Sequence, residues 1–324
     1  MLRAGIRDRY VAVSLSAPAC YNPDMRIGFL GVLGFIICGF AVFPLRGSSP
    51  TGSALAHYER PSSGERYKDR VIVFVHGIYG DAKDTWTAPN GVYWPKLLLS
   101  DSAYDDSDLY VAGYDSPYWG NKATFEEIVT NLQTRLIADG VWKHREVIFV
   151  CHSMGGLLVR RLLIEYRDGY AKKVPFIYFY ATPEKGSEIA RLASKGSADP
   201  LLRILFPNGQ APDYLSNLET EWRKAHFGIS QYCAYEKQPY PFLGVIVPRD
   251  SATRNCTEPA VGIEADHVGI VKPSSKTDEP YTALLSAALQ NPVSPNQPPT
   301  QEATVQQESQ KKSKEKKPVS YTHL

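Results

Sequence analysis

Ten residues constrain the fold more than any others: Val147-Ile148-Phe149-Val150-Cys151-His152-Ser153-Met154-Gly155-Gly156. A short run of β-branched and aromatic residues ends at a small residue. Two positions later comes a serine, and two after that a glycine that opens an apolar helical pattern. This is the signature of a strand turning abruptly into a helix, with the serine at the tip in a strained conformation. The residues two before and two after the tip must be small, because strand and helix nearly collide there. Cys151 and Gly155 meet that need. The turn aims a helix N-terminus at Ser153, where negative charge is favoured. Ser153 is therefore a candidate nucleophile. Cys151 belongs to the strand end and points away from the tip.

The rest of the middle of the chain repeats the theme. Residues 71–75, 147–150 and 176–180 are apolar runs without polar alternation, which suits strands buried on both faces of a parallel sheet. Residues 109–112 form a weaker strand pattern, and 228–235 a further one ended by Glu236. Between them, residues 124–137 place Phe125, Ile128, Val129, Leu132 and Leu136 on one helical face, and 155–166 carry Leu157, Leu158, Leu162 and Leu163. Strands alternating with helices predict right-handed crossovers and a doubly wound, mostly parallel α/β sheet. Residues 182–227 are too long for an ordinary connection and predict a helical cap after the sixth strand. Leu201, Leu202, Ile204, Leu205 and Phe206 are expected to line an acyl pocket or to face lipid, and Leu215, Leu218 and Trp222 to pack the cap onto the body.

The flanks differ from the middle. Residues 27–45 are nineteen residues without a charge, between Arg26 and Arg46. They predict a transmembrane helix after an N-terminal segment, 1–26. A cleaved signal peptide, starting at Met25 and processed near Ala54-Leu55-Ala56, is the rival. Arg3, Arg7, Arg9 and Arg26 precede the run, a bias that places the body outside the cytoplasm. Residues 46–68 read as a linker, 69–290 as the catalytic domain, and 291–324 as a disordered tail. With 43% hydrophobic and 22% charged residues, the whole chain cannot be disordered. The formal charge of +2 is matched by five Lys against three Glu in the tail, so the body is neutral and carries no nucleic-acid groove. Five cysteines, one of them (Cys38) in the apolar run, argue against a disulfide framework.

An acylating serine needs a base, an acid to orient that base, and two donors for the oxyanion. Met154, next to Ser153, supplies one backbone N–H. Ile78 is expected to supply the other from the loop His76-Gly77-Ile78, with His76 structural. Among the later histidines, His226 ends a helical pattern and His323 lies in the tail, which leaves His267 as the base. The acid is Glu236 at a strand end, with Asp250 and Asp266 as rivals; adjacency counts against Asp266, since neighbouring side chains in extended backbone diverge.

These motifs fall in one order: His76-Gly77-Ile78, Cys151-His152-Ser153-Met154-Gly155-Gly156, Ala181-Thr182-Pro183 with Gly186-Ser187, Val247-Pro248 with Ser251-Ala252, and Asp266-His267 with Lys272. The chain resembles, over residues 70–273, the serine-active-site-containing and GPI-inositol-deacylase-like branch of the α/β-hydrolases. The resemblance implies the α/β-hydrolase fold and hydrolysis of carboxylic esters, of lipids or other acyl groups, without cofactor or metal. It also implies an acid just before the Val-Pro-x-x-Ser segment, which favours Glu236. Cys151 departs from the usual glycine. Acyl transfer, thioester cleavage and an inactive interaction module remain alternatives.

Overall fold

The computed structural model describes residues 56–59, 67–114, 123–184, 188 and 211–293, all within the compact unit Thr51–Leu324. Seven strands form one sheet: β1 His57–Glu59, β2 Arg70–Val75, β3 Ser107–Ala112, β4 Glu146–His152, β5 Phe176–Tyr180, β6 Ser230–Glu236 and β7 Val261–Ile263. Their order is β1-β3-β2-β4-β5-β6-β7. All neighbours pair parallel except β1, which runs antiparallel to β3. Every residue of β2, β3 and β5 is buried. Side chains alternate between faces, so both faces of the sheet are covered.

The covering helices are α1 Trp94–Leu99, α2 Phe125–Ala138, α3 Met154–Glu165, α4 Arg167–Tyr170, α5 Ala211–Ala225, α6 Arg249–Ala252 and α7 Glu279–Gln290. Thr124 caps α2 through a reciprocal pair with Glu127, which fixes where that helix starts. The expected face of α2 is inside, with Phe125, Ile128, Val129, Leu132 and Leu136 at 2% exposure or less. Helices α2 and α5 pack against α3, and α7 packs against β6 and β7.

Four expectations need comment. The cysteine reading is corrected: Cys233 of β6 and Cys256 beyond α6 form a disulfide, with Cα atoms 5.9 Å apart. The segment after α6 returns to β6, where the Thr257 N–H donates to the Gln231 carbonyl at 3.0 Å, and that approach, which a cysteine count cannot show, brings the two positions together. His57–Glu59, inside the stretch expected to be linker, is an edge strand on β3. Three residues are too few to show a period. The expected cap follows β5, the fifth described strand rather than a sixth; within it Leu215, Leu218 and Trp222 of α5 are buried, whereas the apolar cluster at 201–206 lies outside the described residues. So does the run 27–45; among the described residues no helix is long and apolar enough to cross a membrane.

Candidate active site

In a parallel sheet the strand C-termini open onto one edge, and there the candidate residues converge. Ser153 follows β4, Gly77 follows β2, Glu236 ends β6, and His267 lies just past β7. Ser153 caps α3 with φ 53° and ψ −127°, a conformation that turns its side chain out of the elbow. Its N–H donates to the Tyr180 carbonyl at 2.9 Å, which ties the elbow to β5.

The glycines explain how tightly the elbow is made. A Cβ on Gly155 would lie 2.3 Å from the Val75 carbonyl oxygen. A Cβ on Gly77 would lie 2.7 Å from the Ser153 Cβ. Strand β2 and its following loop therefore sit directly against the nucleophile. Cys151 is accommodated in place of the usual glycine because it is fully buried within β4. Burial pushes its thiol pKa up, so it remains protonated and is no rival nucleophile.

Ser153, His267 and Glu236 form one hydrogen-bonded chain. His267 Nδ1 donates to Glu236 Oε2 at 2.6 Å, and Ser153 Oγ donates to His267 Nε2 at 3.0 Å. The Nδ1 bond selects the tautomer that leaves Nε2 free to accept a proton. All three residues are at most 3% exposed. The other oxygen of Glu236 accepts the backbone N–H groups of Ile246 and, at 3.1 Å, Val247. Three N–H donors on its two oxygens hold this buried carboxylate in one orientation.

The rival acids are engaged elsewhere. Asp266 Oδ1 accepts the N–H groups of Val268 at 3.0 Å and Gly269 at 2.7 Å, closing the turn that carries His267. Asp250 lies exposed in the first turn of α6. Met154 is the first residue of α3, so its N–H has no partner within the helix. Ile78 is buried beside Gly77.

Two buried histidines flank the chain. His152 Nε2 donates to the His267 carbonyl at 2.8 Å and so fixes the backbone of the base. Burial, reinforced by the charge of His267, holds the His152 pKa well below its ordinary value. His76 Nδ1 donates to the Gly77 carbonyl at 2.9 Å, its ring stacks on Tyr114 at 3.9 Å, and burial lowers its pKa to about 4. Both are neutral, so neither adds positive charge beneath the elbow. The expectation of a structural His76 fits these contacts. The roles of His152 and of the Ile246 and Val247 amides were not legible, since each is a contact between segments distant in sequence. A surface cavity bordered by Trp222, His226, Phe227, Ile229 and Cys256 lies at the start of β6, away from Ser153. Among the described residues no cluster of His, Cys, Asp and Glu is arranged to hold a metal ion.

Comparison with known proteins bears on the fold. Residues 72–294 match the model of the alpha/beta hydrolase family. The chain is 23% identical over 300 residues to protein SERAC1 of Mus musculus, and 24% identical over 299 residues to protein SERAC1 of Homo sapiens. Each match covers 74% of this chain but 44% of the relative, so the chain spans less than half the length of these relatives. Among solved structures, esterase B from Lactobacillus rhamnosis, determined with a C4-C4 SN3 tributyrin phosphonate, superposes with a TM-score of 0.50 at 13% identity. That match covers 83% of this chain and 86% of the esterase. Phospholipase PlaB from Legionella pneumophila also gives a TM-score of 0.50, at 14% identity over 68% of this chain and 59% of its own. At these identities the structural likeness concerns the fold.

Proposed function

Because this chain belongs to the alpha/beta hydrolase family, we propose that it is a serine hydrolase cleaving carboxylic esters of lipid or other acyl groups through an acyl-enzyme on Ser153. The observation that carries this reading is the continuous Ser153–His267–Glu236 hydrogen-bond chain on the strained elbow. Ser153 Oγ attacks the acyl carbon while His267 Nε2 takes its proton. Glu236 orients the imidazole and stabilises its charged form. The N–H groups of Met154 and Ile78 hold the oxyanion. Collapse breaks the acyl–oxygen bond, and His267 returns the proton to the departing alcohol. Water then attacks the acyl-enzyme, giving its proton to His267, and the acid and free Ser153 are released.

The uncharged run 27–45 serves in this reading as a membrane anchor that keeps the body at a lipid surface. The arginine bias puts that body outside the cytoplasm, and the Cys233–Cys256 disulfide suits an oxidising compartment.

The test is turnover of p-nitrophenyl esters of increasing chain length. Ser153→Ala and His267→Ala are each expected to cost at least about a thousandfold in kcat, and the double variant little more. Glu236→Gln should cost less, and Asp250→Asn almost nothing. Retention of a tenth of wild-type kcat by His267→Ala would refute the base assignment. Ester products formed with an added alcohol would move the reading to acyl transfer.

A further inference from the structure

Lys272 follows His267 by five residues and takes no part in the hydrogen-bond chain of the site. Its surroundings give it a task. The segment carrying His267 is a closed unit. Asp266 accepts the N–H groups of Val268 and Gly269 through its side chain and that of Ile270 through its carbonyl. The Lys272 N–H then donates to the Gly269 carbonyl at 2.9 Å. The loop carrying Ile78 is a second unit. Gly80 N–H donates to the Gly77 carbonyl at 3.2 Å, and Asp81 Oδ1 accepts the N–H groups of Lys83 and Asp84 at 2.6 Å each. The 3-10 turn Asp84–Trp86 ends this loop, with Trp86 fully buried between Phe74 and Trp94.

The Lys272 ammonium joins the two units. Nζ donates to the carbonyl of Asp84 and, at 3.1 Å, to that of Thr87. Asp84 opens the 3-10 turn and Thr87 caps its end, so the ammonium ties down both ends of that turn. Burial lowers the Lys272 pKa, while the nearby Asp84 and Asp81 charges act to raise it.

We propose that Lys272 is a positioning residue that fixes the separation between the His267 imidazole and the Ile78 backbone donor, so that proton transfer and oxyanion stabilisation meet on one substrate carbonyl. The proposal rests on the serine-hydrolase reading above. A small misplacement of either partner weakens the transition state while leaving ground-state binding intact.

The experiment is steady-state kinetics on p-nitrophenyl butyrate, with active sites counted by fluorophosphonate titration. Lys272→Met is expected to lower kcat per titrated site by about tenfold or more, with KM within about threefold of wild type. Lys272→Arg, which retains cation and donors, should recover most of that loss. Lys276→Met, which removes a neighbouring bond to the Ser100 carbonyl, should leave kcat per site unchanged. A lower Tm with unchanged kcat per site in Lys272→Met would overturn the proposal and leave Lys272 a purely structural residue. If that variant does not fold, Lys272→Gln, with a shorter donor, must still lower kcat per site; unchanged turnover overturns the proposal. Wild-type turnover measured alongside separates the two readings. An inactive wild type refutes the serine hydrolase, whereas an active wild type with an unimpaired Lys272→Met refutes the clamp alone.

Discussion

Ser153 keeps a backbone conformation that costs a non-glycine residue on the order of 1–3 kcal/mol. The bond to Tyr180 and the close approach of Gly77 and Gly155 hold it there. The histidines beneath it give this part of the molecule a pH signature. His76 is fully buried, with a pKa lowered to about 4 from an ordinary 6.5. Between those pH values the unfolded chain binds a proton that the native chain does not. Stability is therefore complete above pH 6.5 and falls as the pH drops toward 4, by about 3 kcal/mol for His76 alone. His152, shifted in the same direction, adds to the loss. Thermal melts from pH 7.5 to 4.5 should show a flat Tm above neutrality and a decline below about 6.5; a Tm that rises on acidification would refute the buried neutral histidines. Strand pattern and chain order single out Ser153 and His267 in the sequence, whereas for the acid they leave Asp250 and Asp266 as rivals to Glu236, the residue that the resemblance favours. The Ile246 and Val247 amides could not, since backbone donors leave no mark in a sequence.

At the scale of elements, the site depends on a loop fastened at both ends. The disulfide joins β6 to the segment after α6 across a sequence separation of 23. Within that span lie Glu236 and the two amides that hold it. Closing a loop of this length stabilises by about 3 kcal/mol. Cys233→Ala with Cys256→Ala is expected to lower Tm by about 5–10 °C and to reduce kcat as the Glu236 contacts loosen. An unchanged Tm in the double variant, or under a reductant that cleaves the bond, would contradict this. Strands β2 to β6 and helices α2, α3 and α5 were readable because burial imposes a pattern on their sequences. The disulfide, β1 and the three-residue β7 were not, because each exists only through a partner brought close by the fold.

For the whole molecule, the catalytic body begins before residue 69. Strand β1 covers the outer edge of β3, pairing His57 with Val111 and Glu59 with Leu109. A chain starting at Thr51 should be monomeric and active, whereas one starting at Tyr67 exposes that edge and should aggregate on size-exclusion chromatography. A monomeric, fully active product from Tyr67 would show that β1 is dispensable. The full chain should remain with membranes through a carbonate wash, and the chain from Thr51 should not.

The central claim is that Ser153 is a nucleophile activated by His267 and Glu236. Fluorophosphonate labelling followed by mass spectrometry addresses it without knowledge of the natural ester. The account predicts one phosphonyl group per chain, on the peptide containing Ser153. It should be absent in Ser153→Ala and form far more slowly in His267→Ala. A folded wild-type chain that takes up no probe, or takes it up equally well without Ser153, would contradict it.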